Sequence, residues 1–341
     1  MADRLVRDLA EIGISLQEDH SAKETGSNAG NLLGRIPGPD GAPVLLLCAH
    51  MDTVPITTPV KVVDRDGRLE NEGEGILGAD NKAAVAVIVE ALRRIDSPPV
   101  GIEVLFTTCE ELSLAGAKAF DQSQLQSAFG FVFDHATPIG EVIVAAPTLY
   151  RIQADLHGQA AHAGLEPEKG RNAIAAAAAA LSRIQFGRLD EKTTTNVGRI
   201  EGGTAINVVA ERCSVELETR SVDEARAAEV ASAIVDAFTE AASDLECDVE
   251  TIIEEQFRGY QHARTAPPVG LAAAALDARG VEPQFIRTGS AADANVFVNR
   301  GLPVVNMANG TQYAHQPNEC VTVEALETML GVVLELVRLA P

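Results

Sequence analysis

Val44-Leu45-Leu46-Leu47-Cys48-Ala49-His50-Met51-Asp52-Thr53 opens as a strand-length apolar run and closes on ligand-type side chains. A short, unbroken apolar run marks a strand buried on both faces. The pattern repeats twice. A run over 102–107 leads into Cys109-Glu110-Glu111, and one over 131–133 leads into Asp134-His135. Helical periodicity lies between them, over 82–95 and 113–120. That β-α-β-α-β alternation predicts a doubly wound, mostly parallel α/β sheet. Such sheets bind ligands beyond the carboxyl ends of their strands, where these polar residues fall. Asp80 joins them, opening a helix after Gly75-Ile76-Leu77-Gly78-Ala79.

The middle of the chain follows another rhythm. Strand patterns cover 150–157, 194–200, 207–220 and 248–257, with helices over 171–184 and 223–242. The order β-α-β-β-α-β is the ferredoxin-like split unit. Alternation resumes with a helix over 267–278, a strand over 284–287, a helix over 291–299, a strand over 302–306 and a helix over 323–339. The predicted organisation is therefore a catalytic domain, 1–147 plus 259–341, interrupted by an α+β lid domain, 148–258. A length of 341 residues suits two domains.

The formal net charge of −22 disfavours nucleic acid and anionic membrane surfaces as partners. It allows a cation site, because hard and borderline metals take carboxylates. A hydrophobic fraction of 46% excludes intrinsic disorder. The N-terminal segment has helical spacing between charges (Leu5, Leu9, Ile12, Leu16) and lacks the apolar core of a signal peptide, so a cytoplasmic protein is expected. Five cysteines without a C-x-x-C pair read as buried small hydrophobes in a reducing compartment.

One histidine and four carboxylates at converging strand ends look like a metal site with mixed N/O ligands. Asp52, two residues beyond His50, shares its side of an extended chain and is placed to accept the other ring N–H. Taken alone, His-x-Asp serves a surface ion pair as well. Of the adjacent Glu110 and Glu111, one can bind metal while the other acts as general base. Two solvated charges at a helix N-terminus is the competing reading.

These residues carry a family resemblance. His50-x-Asp52-Thr53-Val54-Pro55, Gly78-Ala79-Asp80-Asn81-Lys82-Ala83, Glu110-Glu111 and Asp134, in that order, resemble the zinc metallopeptidases of the peptidase T, carboxypeptidase G and aminoacylase family, most closely its peptidase T-like branch. Gly158-Gln159-Ala160-Ala161-His162-Ala163-Gly164 and Gly202-Gly203-Thr204-Ala205-Ile206-Asn207 are similar to that family's lid. Gly310-x-x-x-x-His315-x-x-x-Glu319 also matches.

The resemblance implies a two-zinc site, with Mn2+ or Co2+ also suited to the ligands. His50 and Asp134 would hold one ion and Glu111 and His315 the other, with Asp80 bridging. Glu110 would be the general base, and the Asp80–Asn81 bond would be cis. His162 would reach the active site of a second subunit in a lid-mediated homodimer and stabilise the oxyanion. Asn207 and Arg220 match substrate-contacting positions, Arg220 as a carboxylate clamp. A surface strand role for Arg220 stays open.

The expected function is aminopeptidase action on short peptides. Deacylation of N-acyl amino acids is the alternative within the class. A catalytically silent binding protein and a two-metal phosphoesterase are the alternatives outside it. His135 departs from the family pattern, where a small residue is usual. Asp293, in Thr288-Gly289-Ser290-Ala291-Ala292-Asp293-Ala294-Asn295, resembles a loop near the family's site, although helix capping explains it equally.

Overall fold

In a computed structural model that describes all 341 residues, the opening run is the strand Val44–His50, buried along nearly its whole length. Its neighbours Gly101–Thr107 and Phe129–His135 pair with it in parallel on either side. Leu45, Leu46, Leu47, Phe106 and Phe131 are all shut off from solvent, each contributing about 1.5–3 kcal/mol by burial. Val304–Ala308 pairs in parallel with Phe129–His135 on its far side. The centre of the sheet is thus parallel, as the alternation predicts.

The margins of this sheet are mostly antiparallel, although Gln284–Arg287 pairs in parallel with Glu141–Ala146. Leu32–Ile36 pairs antiparallel with Gly101–Thr107, and Leu16–Glu18 with Leu32–Ile36. Glu141–Ala146 pairs antiparallel with Val304–Ala308. Leu16–Glu18 and Leu32–Ile36 are short or broken by polar residues such as Arg35, so periodicity does not mark them out, whereas Glu141–Ala146 is an apolar run of strand length that the expected alternation omits. A further hairpin, Val62–Arg65 with Arg68–Asn71, joins Cys320–Thr322 in a small separate sheet. Helices Ala79–Arg94, Pro267–Ala278 and Val323–Leu339 cover the main sheet and share its core.

The chain divides into two compact units, Met1–Ala145 with Gln261–Pro341, and Ala146–Tyr260. The second unit carries a five-stranded sheet. Its order is Gly187–Arg188, Thr193–Gly202, Arg212–Ser221, Thr148–His157 and Asp248–Phe257, antiparallel throughout. Helices Ala173–Arg183 and Glu224–Asp244 pack on it over a core of their own. Without the two-residue edge strand, this is the ferredoxin-like order. The strand expected over 207–220 begins only at Arg212, so Asn207 lies in a turn off the sheet. No helix is long and apolar enough to cross a membrane. All five cysteines are free and buried.

Candidate metal and catalytic site

The site is built at the carboxyl ends of the parallel strands. His50 is the last residue of its strand and is 1% exposed. Its Nε2 lies 3.3 Å from Asp134 Oδ1 and 3.6 Å from Asp80 Oδ1, while Nδ1 lies 3.4 Å from Asp52 Oδ1. One ring nitrogen thus faces two carboxylates and the other faces Asp52. Asp52 also accepts the backbone N–H of Glu110 on Oδ1 at 3.1 Å and that of Glu111 on Oδ2 at 3.2 Å. One carboxylate therefore orients both the histidine and the Glu110–Glu111 turn.

That turn follows strand Gly101–Thr107 through Cys109, which takes a left-handed φ of 53°. A non-glycine residue there is uncommon, and such residues cluster at functional sites. Buried Asn31 anchors the turn. It accepts from the Thr108 N–H at 3.0 Å and donates to the Gly116 carbonyl at 3.0 Å. Gly116 permits this approach, since a Cβ there would stand 1.8 Å from the Thr108 carbonyl oxygen. Glu111 Oε1 lies 2.7 Å from His315 Nε2, and the same nitrogen is 3.3 Å from Asp80 Oδ2. His315 itself has a φ of 66°.

Asp80 stands at the start of helix Ala79–Arg94, where it and Asn81 leave helical geometry and are joined by a cis peptide bond. Asn81 Nδ2 donates to Asp134 Oδ1 at 3.2 Å, and Asn309 Nδ2 donates to Asn81 Oδ1 at 3.2 Å. Asn306 Oδ1 accepts the Asp134 N–H at 2.9 Å. Lys82 Nζ donates to the carbonyls of Met51 at 2.6 Å and Asp52 at 3.3 Å, fixing the loop beyond His50.

Crowding shifts the titrations. Burial opposes charge on Asp80, but the His315 and His50 rings beside it hold its carboxyl well below the usual range. Burial pushes Asp134 up to about 7 and Glu110 well above the carboxylate range, with the Asp134 charge adding to the rise at Glu110. The Asp80 and Glu111 carboxylates beside it raise His315 to about 9. Buried carboxylates at such spacing call for positive charge.

The donor set fits divalent cations. Ligand atoms of His50, Asp80 and Glu111 lie within 4.8 Å of one another, as do those of His50, Glu110 and Asp134. Asp80 Oδ1, which faces His50 Nε2, is buried without a hydrogen-bond partner. Mixed imidazole and carboxylate ligands suit Zn2+ and its neighbours.

Comparison with known proteins settles the family. The M20 peptidase dimerisation domain matches residues 149–246. The Bacillus subtilis protein YqjE is 35% identical over 337 residues, covering 98% of this chain and 91% of that protein. A solved aminopeptidase PepT from Bacillus cereus is 33% identical with a TM-score of 0.92, covering 99% of this chain and 91% of that one. The chain belongs to the M20 metallopeptidases, in their peptidase T-like branch. A Staphylococcus aureus tripeptidase is 31% identical with a TM-score of 0.95, at the same coverages of 99% and 91%.

In this M20 chain seven of the ten expected site residues come together: His50, Asp52, Asp80, Glu110, Glu111, Asp134 and His315. The other three lie in the second unit. His162 and Asn207 are neighbours there, both exposed. The Ala163 N–H donates to the Asn207 carbonyl at 3.0 Å, and the Val209 N–H to the Ala161 carbonyl at 2.9 Å. Arg220 lies elsewhere. Register pairs Arg212 with His157 and Arg220 with Leu149, so Arg220 is at the opposite end of that sheet. Eight residues of strand separate the two ends, roughly 26 Å. The Arg220 guanidinium is forked onto Glu218 at 2.9 and 3.1 Å.

His135 Nε2 turns to Glu141 Oε2 at 3.2 Å. Asp293 does not cap its helix, whose N-cap is Ala292. It is buried, accepts the Thr107 hydroxyl at 2.5 Å, and leaves Oδ1 without a partner. Sequence reasoning gave no role to Lys82, Glu319, or the Asn81, Asn306 and Asn309 ladder. For Lys82 and Glu319 a signal existed, since each sits within four residues of an expected ligand in a matched motif.

Proposed function

We propose that the chain is a dinuclear zinc aminopeptidase acting on short peptides. The observation that carries this reading is the convergence of His50, Asp80, Glu111, Asp134 and His315 around Glu110 in a chain of the peptidase T-like branch. His50 and Asp134 would hold one ion, Glu111 and His315 the other, and Asp80 would bridge them. Bound there, two divalent ions would supply Lewis acidity, polarising a carbonyl and lowering the pKa of a water toward ~7. Zn2+ is the proposed metal, and Mn2+ or Co2+ also suit these donors.

The protein's own part is proton management and orientation. Glu110, with its carboxyl raised by burial, takes a proton from the attacking water on a carboxylate oxygen. It then delivers that proton to the leaving amine nitrogen as the amide C–N bond breaks. Asp52 holds the Glu110 backbone in place and keeps the His50 ring turned. His162 would donate to the developing oxyanion, with Asn207 beside it on the substrate. Arg220 would engage a substrate carboxylate after exchanging its bond to Glu218.

We propose a homodimer joined through the lid, with His162 acting in the partner's site. The separation of Arg220 from His162 and Asn207 along the lid sheet supports a division of labour between two subunits. Five free cysteines are at home in a reducing compartment, which supports the cytoplasm as the location.

The test is hydrolysis of a tripeptide panel against N-acyl amino acids, with wild type and Glu110→Gln. Tripeptides should turn over, and E110Q should keep its metal while losing ~10²–10⁴-fold in kcat. E110Q activity within tenfold of wild type would refute the mechanism. Turnover of N-acyl amino acids alone would refute the aminopeptidase reading.

A further inference from the structure

Glu319 is a carboxylate, 1% exposed, with no place in the chemistry above. It follows His315 by four residues, yet both of its oxygens are taken by another loop. The Gly78 N–H donates to Oε2 at 2.7 Å, and the Asp80 N–H donates to Oε1 at 2.9 Å. Those two peptide groups flank Ala79, at the point where the chain delivers Asp80. The helix cannot fix Asp80 by itself, because Asp80 and Asn81 depart from helical φ and ψ. The Glu319 turn is anchored in its own right, its N–H donating to the Gln316 carbonyl at 3.0 Å. One side chain therefore ties the turn that carries His315 to the turn that carries Asp80.

We propose that Glu319 is a positioning residue that holds the Asp80 carboxylate in register with His315, and so sets the affinity of the metal site without touching metal or substrate. The inference rests on the two-metal reading above. A charged acceptor holds two N–H donors more firmly than a neutral one. In Glu319→Gln, one oxygen becomes an NH2 facing a backbone N–H, donor against donor in a buried place. The Asp80 loop must shift to relieve the clash. Partners of this kind behind metal ligands are worth roughly 10–100-fold in metal affinity.

The experiment is calorimetric titration of the metal-free protein with Zn2+, with circular dichroism and thermal melts on each variant. Wild type should take up two equivalents. E319Q should keep its secondary structure and bind roughly 10–100-fold more weakly. Glu319→Asp keeps the charge but withdraws both oxygens by a methylene, and should also weaken binding. If E319Q does not fold, E319D decides. Two equivalents in wild type with unchanged affinity in a folded variant, even one with a lowered melting temperature, overturns the inference and leaves the two-metal reading standing. Failure of wild type to take up metal overturns both.

Discussion

Asp293 is a buried carboxylate that the fold holds at a cost, and Asp293→Asn should stabilise the metal-free protein at neutral pH. Burial raises its carboxyl from an ordinary 3.8 to about 6. Thr107 is its one hydrogen-bond donor, and Oδ1 has none. A raised carboxyl means the fold favours the protonated form. No penalty exists below the unfolded value, it grows as pH rises through the folded value, and it levels off above that. A shift of roughly two units corresponds to up to about 3 kcal/mol at pH 8 and about 1 kcal/mol at pH 4.5. Asparagine is nearly the same shape and can still accept from Thr107. Its amide nitrogen takes the place of the partnerless oxygen, so the exchange removes the charge and little else. For a unit of this size the gain is up to roughly 6–12 °C in melting temperature. The assay is a thermal melt of wild type and D293N in chelator at pH 4.5 and pH 8. A variant no more stable than wild type at pH 8, or a gain equal at both pH values, would refute the reasoning. Adding Zn2+ should shrink the advantage, because nearby cations favour the ionised carboxylate of the wild type.

Two other outcomes follow from the same geometry. Metal should act as a folding ligand: at one hundred times its dissociation constant each bound ion stabilises by ~2.7 kcal/mol, so chelator should lower the melting temperature and Zn2+ restore it, and a melt indifferent to both would sink the metal assignment. Subunit mixing tests His162. Inactive E110Q and H162A dimers, allowed to exchange subunits, should regain about a quarter of wild-type activity, since half the dimers would be mixed and each would hold one complete site; no recovery despite demonstrated exchange would show that His162 does not act across subunits.

The parallel centre of the catalytic unit was legible because buried parallel strands are written as unbroken apolar runs, as at Val44–His50. Its antiparallel margins were not, since Leu16–Glu18 and Leu32–Ile36 are short and carry polar residues in the run. His50, Asp52, Glu110, Glu111 and Asp134 stand out because each sits just beyond an apolar strand run and Asp80 because it opens a helix, whereas His315 is reached only through the family motif. The two-residue spacing places Asp52 on the His50 side of the chain, where its carboxylate lies 3.4 Å from Nδ1. Its grip on the Glu110–Glu111 turn depends on a chain reversal that no local pattern announces. Glu319, Lys82 and the asparagine ladder act through backbone groups distant in sequence, and such bonds leave no periodic trace. Sequence alone extends the strand back to Asn207 because the apolar alternation that begins near Val209 runs on smoothly into the true strand at Arg212.

The order of strands also sets a timetable. Val304–Ala308 lies in the main sheet between Phe129–His135 and Glu141–Ala146, both made long before it. While the chain is synthesised, that slot stays empty until the ribosome reaches Val304, roughly ten to thirty seconds later at ~5–20 residues per second. The second unit is continuous in sequence and can close over its own core meanwhile. His315 and Glu319 emerge later still, so the newborn chain carries Asp80 and Glu111 before the histidine that lies against both of them. On the proposed reading, the metal site cannot be assembled before His315 has left the ribosome.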